Sequence, residues 1–479
     1  MNKLGVFTLF IVTVLVLSSM TLDLQNLFNY SNQAIPAYIT KDNTGNNSIS
    51  DEGATLGRVL FYDKNLSSNN TIACASCHHQ EFAFGDTSLV SVGVNGVTGR
   101  HSMRLVNNRF ADEAGYFWDE RASSLEDQST MPIMDHVEMG FSGTNGDPDF
   151  DDLLVKLDNI SYYNDLFYLV FGDTIITQQK IQFALAQFIR SIQSFDSPYD
   201  VGRAQVSHDS LPFPNFSQPQ NDGKDLFLMP AEFNNNGLRV GGGFGCANCH
   251  RPPEFDIVPD SKSNGVIFTP GNTNPNGEVD PNVFKSPSLR DIVNQEGQVN
   301  GNLMHTGNFV NLTNVLNHYD RINLFPQVDG IEDIVDERLV PNGRPQDLNM
   351  TNQERNRVIN FLGTLTGTDI YTNEKWSNPF DENGNLELLN SPFTTSSEDL
   401  VEINFTIFPN PVLDNLNLRG EIENTVVEVY SLDGTFINSV EIKSSQISIP
   451  FNDYASGAYI LILTKADKKI VAIDKVIKL

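Results

Sequence analysis

Cys74-Ala75-Ser76-Cys77-His78 and Cys246-Ala247-Asn248-Cys249-His250 decide how this chain is read. Both are C-x-x-C-H, the pattern for covalent attachment of a c-type haem. Two thiols three positions apart can reach the two vinyl groups of one porphyrin. The adjacent histidine then meets the iron as its proximal ligand. The chain has four cysteines, and the two motifs use all of them. A zinc ribbon would set its two C-x-x-C halves roughly 15–20 residues apart, and these lie much further apart. Disulfides within each pair would be catalytic, and no βαβ redox pattern surrounds them. The spacing favours two haems over either alternative.

At 479 residues the chain is too long for one core, so two or three domains are expected. A net charge of -29 argues against nucleic acid and against an anionic membrane surface. It suits a neutral or basic protein partner. Residues 1–20 read as a secretory signal: Lys3 is charged, Leu4 to Leu17 is apolar, and Ser18-Ser19 is small. The run is short for a bilayer span, an uncleaved anchor being the alternative, and no later run is long enough. Export fits the haem reading, because c-type haem is attached outside the cytoplasm.

Gly53 to Asp63 has the spacing of a short helix, and the polar turn Asn65 to Asn70 leads into the first motif. Gly93-Val94-Asn95-Gly96 reads as a loop able to cover one haem face. Thr177 can cap a helix in which Ile181, Leu185, Phe188, Ile189 and Ile192 form one apolar stripe. The Pro/Asn-rich stretch Pro212 to Asp222 is the candidate domain boundary. Gly241-Gly242-Gly243 is expected to let the backbone approach the second porphyrin. Thr351-Asn352-Gln353-Glu354 is a capping box, with Val358, Phe361, Leu362 and Leu365 on one helical face and Gly367 at the end.

Beyond about residue 370 the composition changes. Asn373 to Asp399 reads as a polar linker. From Val401 the pattern is β: Val427, Val429 and Ile437 flank an Asp433-Gly434 turn, and Ala458 to Thr464 and Ile470 to Val476 are strand-like. The expected fold class is mainly α, with two cytochrome c-like haem domains followed by a small all-β sandwich. The expected limits are a signal at 1–20, an N-terminal haem domain at 24–215, a second at 216–370, a linker at 371–400 and the sandwich at 401–479.

Five segments carry a resemblance: Leu56-Gly57-Arg58 with Leu60-Phe61-Tyr62-Asp63; Phe117-Trp118-Asp119-Glu120-Arg121-Ala122; Asp135-His136-Val137-Glu138-Met139; Ser286-Pro287-Ser288-Leu289-Arg290; and Met304-His305-Thr306-Gly307. Together with the haem motifs they resemble the bacterial di-haem cytochrome c peroxidase family, including its MauG-like branch. Phe408-Pro409-Asn410-Pro411, Asp433-Gly434 and Ser456-Gly457-Ala458-Tyr459 make the last 80 or so residues resemble a type IX secretion sorting domain of type A. That resemblance implies export, to the periplasm or across the outer membrane to the cell surface or medium.

The family resemblance implies roles. His78 would hold the peroxidatic haem, and Glu138 matches the family's catalytic carboxylate, Gln128 its pocket amide, and Pro132 a shaping residue. By residue type alone, an isolated glutamate is usually a solvated surface charge. The peroxidase branch often has a distal histidine in the loop after the first motif. Gly93-Val94-Asn95-Gly96 stands there instead, which implies an already five-coordinate iron. His79 is expected at the surface. His101 replaces an asparagine of the family's interdomain calcium site, a departure that puts calcium binding in question. Counting from His305 to the second haem's sixth ligand gives Tyr319, as in MauG, where the peroxidase branch has methionine. An anionic oxygen ligand would lower the potential; the alternative is a core tyrosine. Met304 is a rival ligand, and His318 is expected to be exposed. Trp118 resembles the tryptophan between the haems and would relay charge, although most tryptophans are core aromatics. Trp376 falls in the linker. His136 and His208 have no assigned role.

Three functions follow. The first is a peroxidase that reduces hydrogen peroxide with electrons from an external donor, a small cytochrome or other redox protein. The second is a MauG-like oxidase acting on a protein or organic substrate. The third is a simple electron carrier. Each uses two covalently bound haems, and family members often form homodimers.

Overall fold

The computed structural model describes residues 27–112, 115–272, 278–324, 334–387, 405–431, 435–465 and 470–478. The expected signal, the Asp433-Gly434 turn and residues 388–400 of the expected linker lie outside them. No helix among the described residues is long and apolar enough to cross a membrane.

The first core is helical. α1 (Asp51–Tyr62) starts at Ser50, whose hydroxyl accepts from the Gly53 N–H, with Asp51 and Glu52 in the first turn. α2 (Leu125–Thr130) and α3 (Phe150–Asp158) are capped by Ser124 and Asp149. α4 (Ser161–Phe171) ends at Gly172, whose φ of +75° suits glycine. α5 (Gln178–Ser191) starts at Thr177, as its sequence predicts. Its whole apolar stripe is buried. α1 and α5 cross at Gly57, where a Cβ would lie 2.0 Å from the Ala184 carbonyl oxygen. Only a glycine lets the two backbones come this close.

The second core repeats the device. α6 (Pro198–Arg203) precedes α7 (Gln218–Leu228), which crosses the last helix of the domain at Gly223. There a Cβ would lie 1.9 Å from the Arg357 carbonyl oxygen. Between them come two short antiparallel pairs, β1 (Ala231–Phe233) with β2 (Arg239–Gly242) and β3 (His250–Arg251) with β4 (Asp256–Ile257). α8 (Leu312–Asp320) follows, capped by Asn311, and then α9 (Asn352–Gly363), opened by the Thr351–Glu354 capping box. Val358, Phe361, Leu362 and Leu365 are all buried, but the helix stops at Gly363, short of Gly367.

Two expected boundaries move. Tyr199, Phe213 and Phe216 pack with Phe227, Phe255 and Phe361, so the stretch around Pro212 lies inside the second core. The change of core falls between Ile192 and Tyr199, not at residue 215. Residues 371–387 are not a free linker. Trp376 is buried in the first core, with its indole N–H on the Ser191 carbonyl at 3.1 Å. Tyr62 and Arg58 of α1 donate to the carbonyls of Trp376 and Ser377 at 2.7 and 2.6 Å. The polar composition hid one large aromatic anchor.

The third core is all β. β5 (Phe405–Phe408), β6 (Asn415–Gly420), β7 (Thr425–Ser431), β8 (Phe436–Ile442), β9 (Gln446–Pro450), β10 (Gly457–Lys465) and β11 (Ile470–Lys478) form two antiparallel sheets, β11-β10-β7-β8 and β5-β6-β9. Leu461 and Leu463 of β10 face Val429 and Val427 of β7. With Leu416, Leu418 and Ile449 of the other sheet, these alternate residues bury one face of each strand.

Candidate functional site

Each C-x-x-C-H motif winds through a short turn that points its groups into one cavity. Cys74–Ser76 is a 3-10 turn, and the N–H groups of Cys77 and His78 return to the Cys74 carbonyl at 3.1 and 3.0 Å. Cys74, Cys77 and His78 line a cavity of about 560 Å³ with Phe61, Leu125 and Leu185. His78 Nδ1 meets the Phe84 carbonyl at 3.2 Å, which leaves Nε2 as the metal-binding nitrogen. Burial pushes this imidazole down to about 4 and the Cys74 thiol up to about 12.

Cys246–Asn248 makes the matching turn after Gly245, whose φ is +68°. Cys246, Cys249 and His250 line a second cavity of about 210 Å³ with Phe227, Phe244 and Leu316. Burial again pushes the imidazole down to about 4. The two cysteine pairs lie in separate cavities, so four sulfurs do not converge on one tetrahedral site. Two thiols and a neutral imidazole in each cavity fit a covalently attached haem; His78 has its Nδ1 held by the Phe84 carbonyl, whereas His250 Nδ1 is buried without a partner.

The chain brings Glu138, Gln128, Pro132 and Trp118 to the lining of the first cavity. Gln128 stands on α2, and Pro132 lies in the turn just after it. Asp135 Oδ1 accepts from the N–H groups of Val137 and Glu138 at 2.8 and 3.0 Å and so fixes the turn that presents Glu138. The loop Gly93–Gly96 lies against that turn: the Val94 and Asn95 N–H groups donate to the Glu138 and Val137 carbonyls at 2.9 and 3.1 Å. Burial pushes the Glu138 carboxyl up to about 7, Asp135 adds to the rise, and Arg121 opposes it. Arg121 is itself stacked on Phe117 at 3.6 Å and paired with Asp119 at 2.9 Å.

Tyr319, at the C-terminal end of α8, and Met304 both line the second cavity. Asn264 joins them. Its Nδ2 donates to the Tyr319 hydroxyl at 3.1 Å and lies 3.3 Å from Met304 Sδ. His305 is buried on the same lining, with Nε2 on the Phe268 carbonyl at 3.1 Å. Trp118 lines both cavities. Its Nε1 donates to the His101 carbonyl at 2.7 Å, and its ring lies 6.1 Å from that of His305.

Several expectations change here. Gly241, Gly242 and Gly243 do not line the second cavity. Cβ atoms on Gly242 and Gly243 would strike the carbonyls of Pro230 and Met229 at 2.2 and 2.5 Å, so these glycines serve a backbone crossing. His318 is half-buried, with Nε2 on the Asn264 carbonyl at 2.9 Å, and lies off the lining. His79 is half-buried too. His101 is buried and holds the Ser88 carbonyl through Nδ1 at 2.9 Å. His136 pairs with Asp147 at 2.8 Å. Sequence pattern alone marked neither Asp135 nor Asn264 as a support of the site: Asp135 acts within its own turn, on the N–H groups of Val137 and Glu138, and Asn264 reaches residues 40 and 55 positions away.

The family model for di-haem cytochrome c peroxidase matches residues 51–205, and that for a secretion system C-terminal sorting domain matches residues 406–478. A methylamine utilization protein MauG from Methylophilus methylotrophus is 29% identical over 328 residues, covering 67% of this chain and 84% of that protein. A cytochrome c551 peroxidase from Nitrosomonas europaea is 26% identical over 327 residues, covering 66% and 80%. The crystal structure of a MauG-like protein associated with microbial copper homeostasis superposes with a TM-score of 0.56 at 25% identity, covering 73% of this chain and 99% of that one. The chain therefore carries one region that matches the di-haem cytochrome c peroxidase model, within a longer stretch similar to MauG and cytochrome c peroxidase proteins, and a second region that matches a secretion system C-terminal sorting domain.

Proposed function

We propose that the chain is an exported di-haem peroxidase that reduces hydrogen peroxide to water at the His78 cavity, with electrons from an external redox protein entering through the His250 cavity. The observation that carries this reading is the shared lining of His78, Glu138 and Gln128. A haem on Cys74, Cys77 and His78 would supply the iron that splits the O–O bond. Glu138 takes a proton from one peroxide oxygen and returns it to the other. Its raised pKa near 7 suits a group that must both accept and give. Gln128 orients the peroxide, Pro132 shapes the pocket, and Asp135 holds the Glu138 turn. Trp118, with a wall position on both cavities, carries charge between them, and Tyr319 closes the second. Replacing Glu138 by Gln should cost at least about a hundredfold in peroxide turnover, within the span of general acid–base contributions, while both haem spectra persist. Unchanged turnover would remove the carboxylate from its assigned role. Mass spectrometry of the mature protein should show two haem additions.

A MauG-like oxidase is the second reading, favoured by Tyr319 on the lining of the second cavity. Peroxide added to the oxidised protein without donor should then leave a spectral change that outlasts the peroxide. A prompt return to the starting spectrum selects the peroxidase, and no response at all selects an electron carrier.

A further inference from the structure

Arg104 lies in the wall that separates the two cavities and lines both, as do Met103, Trp118 and Lys285. It is 7% exposed. One terminal nitrogen, Nη2, donates to the Ser288 carbonyl at 3.1 Å, and Nε has no partner. Among the described residues no carboxylate reaches ion-pair distance of it. Asp291 is the carboxylate that acts on its charge, from beyond ion-pair distance: its Oδ1 accepts from the Gly367 N–H at 2.9 Å and the Tyr371 hydroxyl at 3.0 Å, and its Oδ2 is buried without a hydrogen-bond partner. Lys285, the second cation of this wall, has Glu120 to offset its charge. The Arg104 stem is fixed as well: a Cβ on Gly85 would sit 2.9 Å from Arg104 Cγ.

A guanidinium buried without an anion is costly, and neutralising it is harder than for any other side chain. The cost is offset once an anion arrives with matching planar geometry. Each haem brings two propionates, which are anionic at neutral pH and suited to a bidentate guanidinium contact. We propose that Arg104 is a propionate-binding residue, holding a haem carboxylate at the wall between the two cavities. The inference rests on the two-haem reading above. The carboxylate can come from the haem at His78 or from the haem at His250, since both cavities share this wall.

The test is the reduction midpoint of each haem in the full mature chain, followed through the separate absorption bands of the two irons. A cation beside a propionate favours the reduced haem, so Arg104→Gln should lower the potential. The expected change is at least tenfold in the reduction equilibrium of the haem concerned, or 59 mV for a one-electron couple. The band that moves identifies the source, and movement of both places Arg104 between two propionates. Arg104→Lys keeps the charge and should hold the equilibrium within twofold while shifting the propionate-bending band in the resonance Raman spectrum. If Arg104→Gln does not mature, that band decides. Two haems with unmoved potentials and an unmoved band overturn the proposal and leave the haem reading intact. A wild-type chain without haem by mass spectrometry fails the haem reading itself.

Discussion

The N–H of Val94 donates to the carbonyl of Glu138 at 2.9 Å, so the loop that follows the first haem motif is tied to the backbone of the proposed catalytic carboxylate. Glycine makes the approach possible. A Cβ on Gly93 would lie 2.1 Å from the Val137 carbonyl oxygen and 2.8 Å from Glu138 Cα. The loop is thus a backbone brace for the turn that presents Glu138.

The brace predicts the effect of Gly93→Ala. The methyl group cannot be accommodated without moving the Val137–Glu138 backbone. A shift of about 1 Å in a reacting group costs on the order of a hundredfold. Steady-state peroxide turnover should fall by between ten- and a hundredfold, with haem content unchanged. Wild-type turnover in this variant would show that the Glu138 turn does not depend on the loop.

The role proposed for Glu138 also predicts a pH dependence. Its carboxyl is pushed up to about 7, chiefly by burial. Only the ionised form takes a proton, so turnover should fall about tenfold per pH unit below pH 7 and level off above it. Glu138→Gln should be slow and flat across the same range. A wild-type profile that breaks nearer pH 4 would mean that the carboxylate is solvated in the working protein.

At the second cavity Asn264 reaches both the Tyr319 hydroxyl and Met304 Sδ. If Tyr319 is the ligand, Tyr319→Phe should abolish the phenolate-to-iron band of the oxidised protein and raise the potential of that haem, because an anionic oxygen favours the oxidised metal. Met304→Leu should leave both unchanged. The opposite pattern would make Met304 the ligand and Tyr319 a core side chain.

The sequence carried most of this architecture because its strongest signals are local. The haem turns, the Thr177 and Thr351 caps and the apolar stripes of α5 and α9 depend on residues within a few positions of one another. Trp376 and the 371–387 segment did not read correctly, since a single buried aromatic among polar neighbours leaves no periodicity. The glycines around Gly242 read as cofactor contacts when they serve a backbone crossing. Glu138, Gln128 and Tyr319 were found through family resemblance. Asn264 and Arg104 act across the fold, between loops far apart in the chain, where spacing says nothing.

Arg290 gives the last prediction. The sequence marks it only as the end of a family segment, yet it is 0% exposed. Its Nη1 donates to both Asp200 oxygens at 2.9 and 3.0 Å, its Nη2 donates to the Pro253 carbonyl at 2.8 Å, and Glu254 lies 3.6 Å from its Nε. Tyr38 donates to Asp200 at 2.6 Å, and Asn107 donates to Glu254 at 3.0 Å. The cluster therefore ties Tyr38, Asn107 and Asp200 to the Pro253–Glu254 segment that follows His250. Removing the cation leaves two buried carboxylates to be neutralised. Arg290→Ala should cost roughly 3–5 kcal/mol, the usual penalty for breaking a buried pair. Adding Asp200→Asn and Glu254→Gln to that variant should restore a large part of it, because the uncompensated charges are then gone. Denaturant midpoints followed by haem absorbance provide the comparison, and a single-variant loss below about 1 kcal/mol would place the cluster among weak surface pairs.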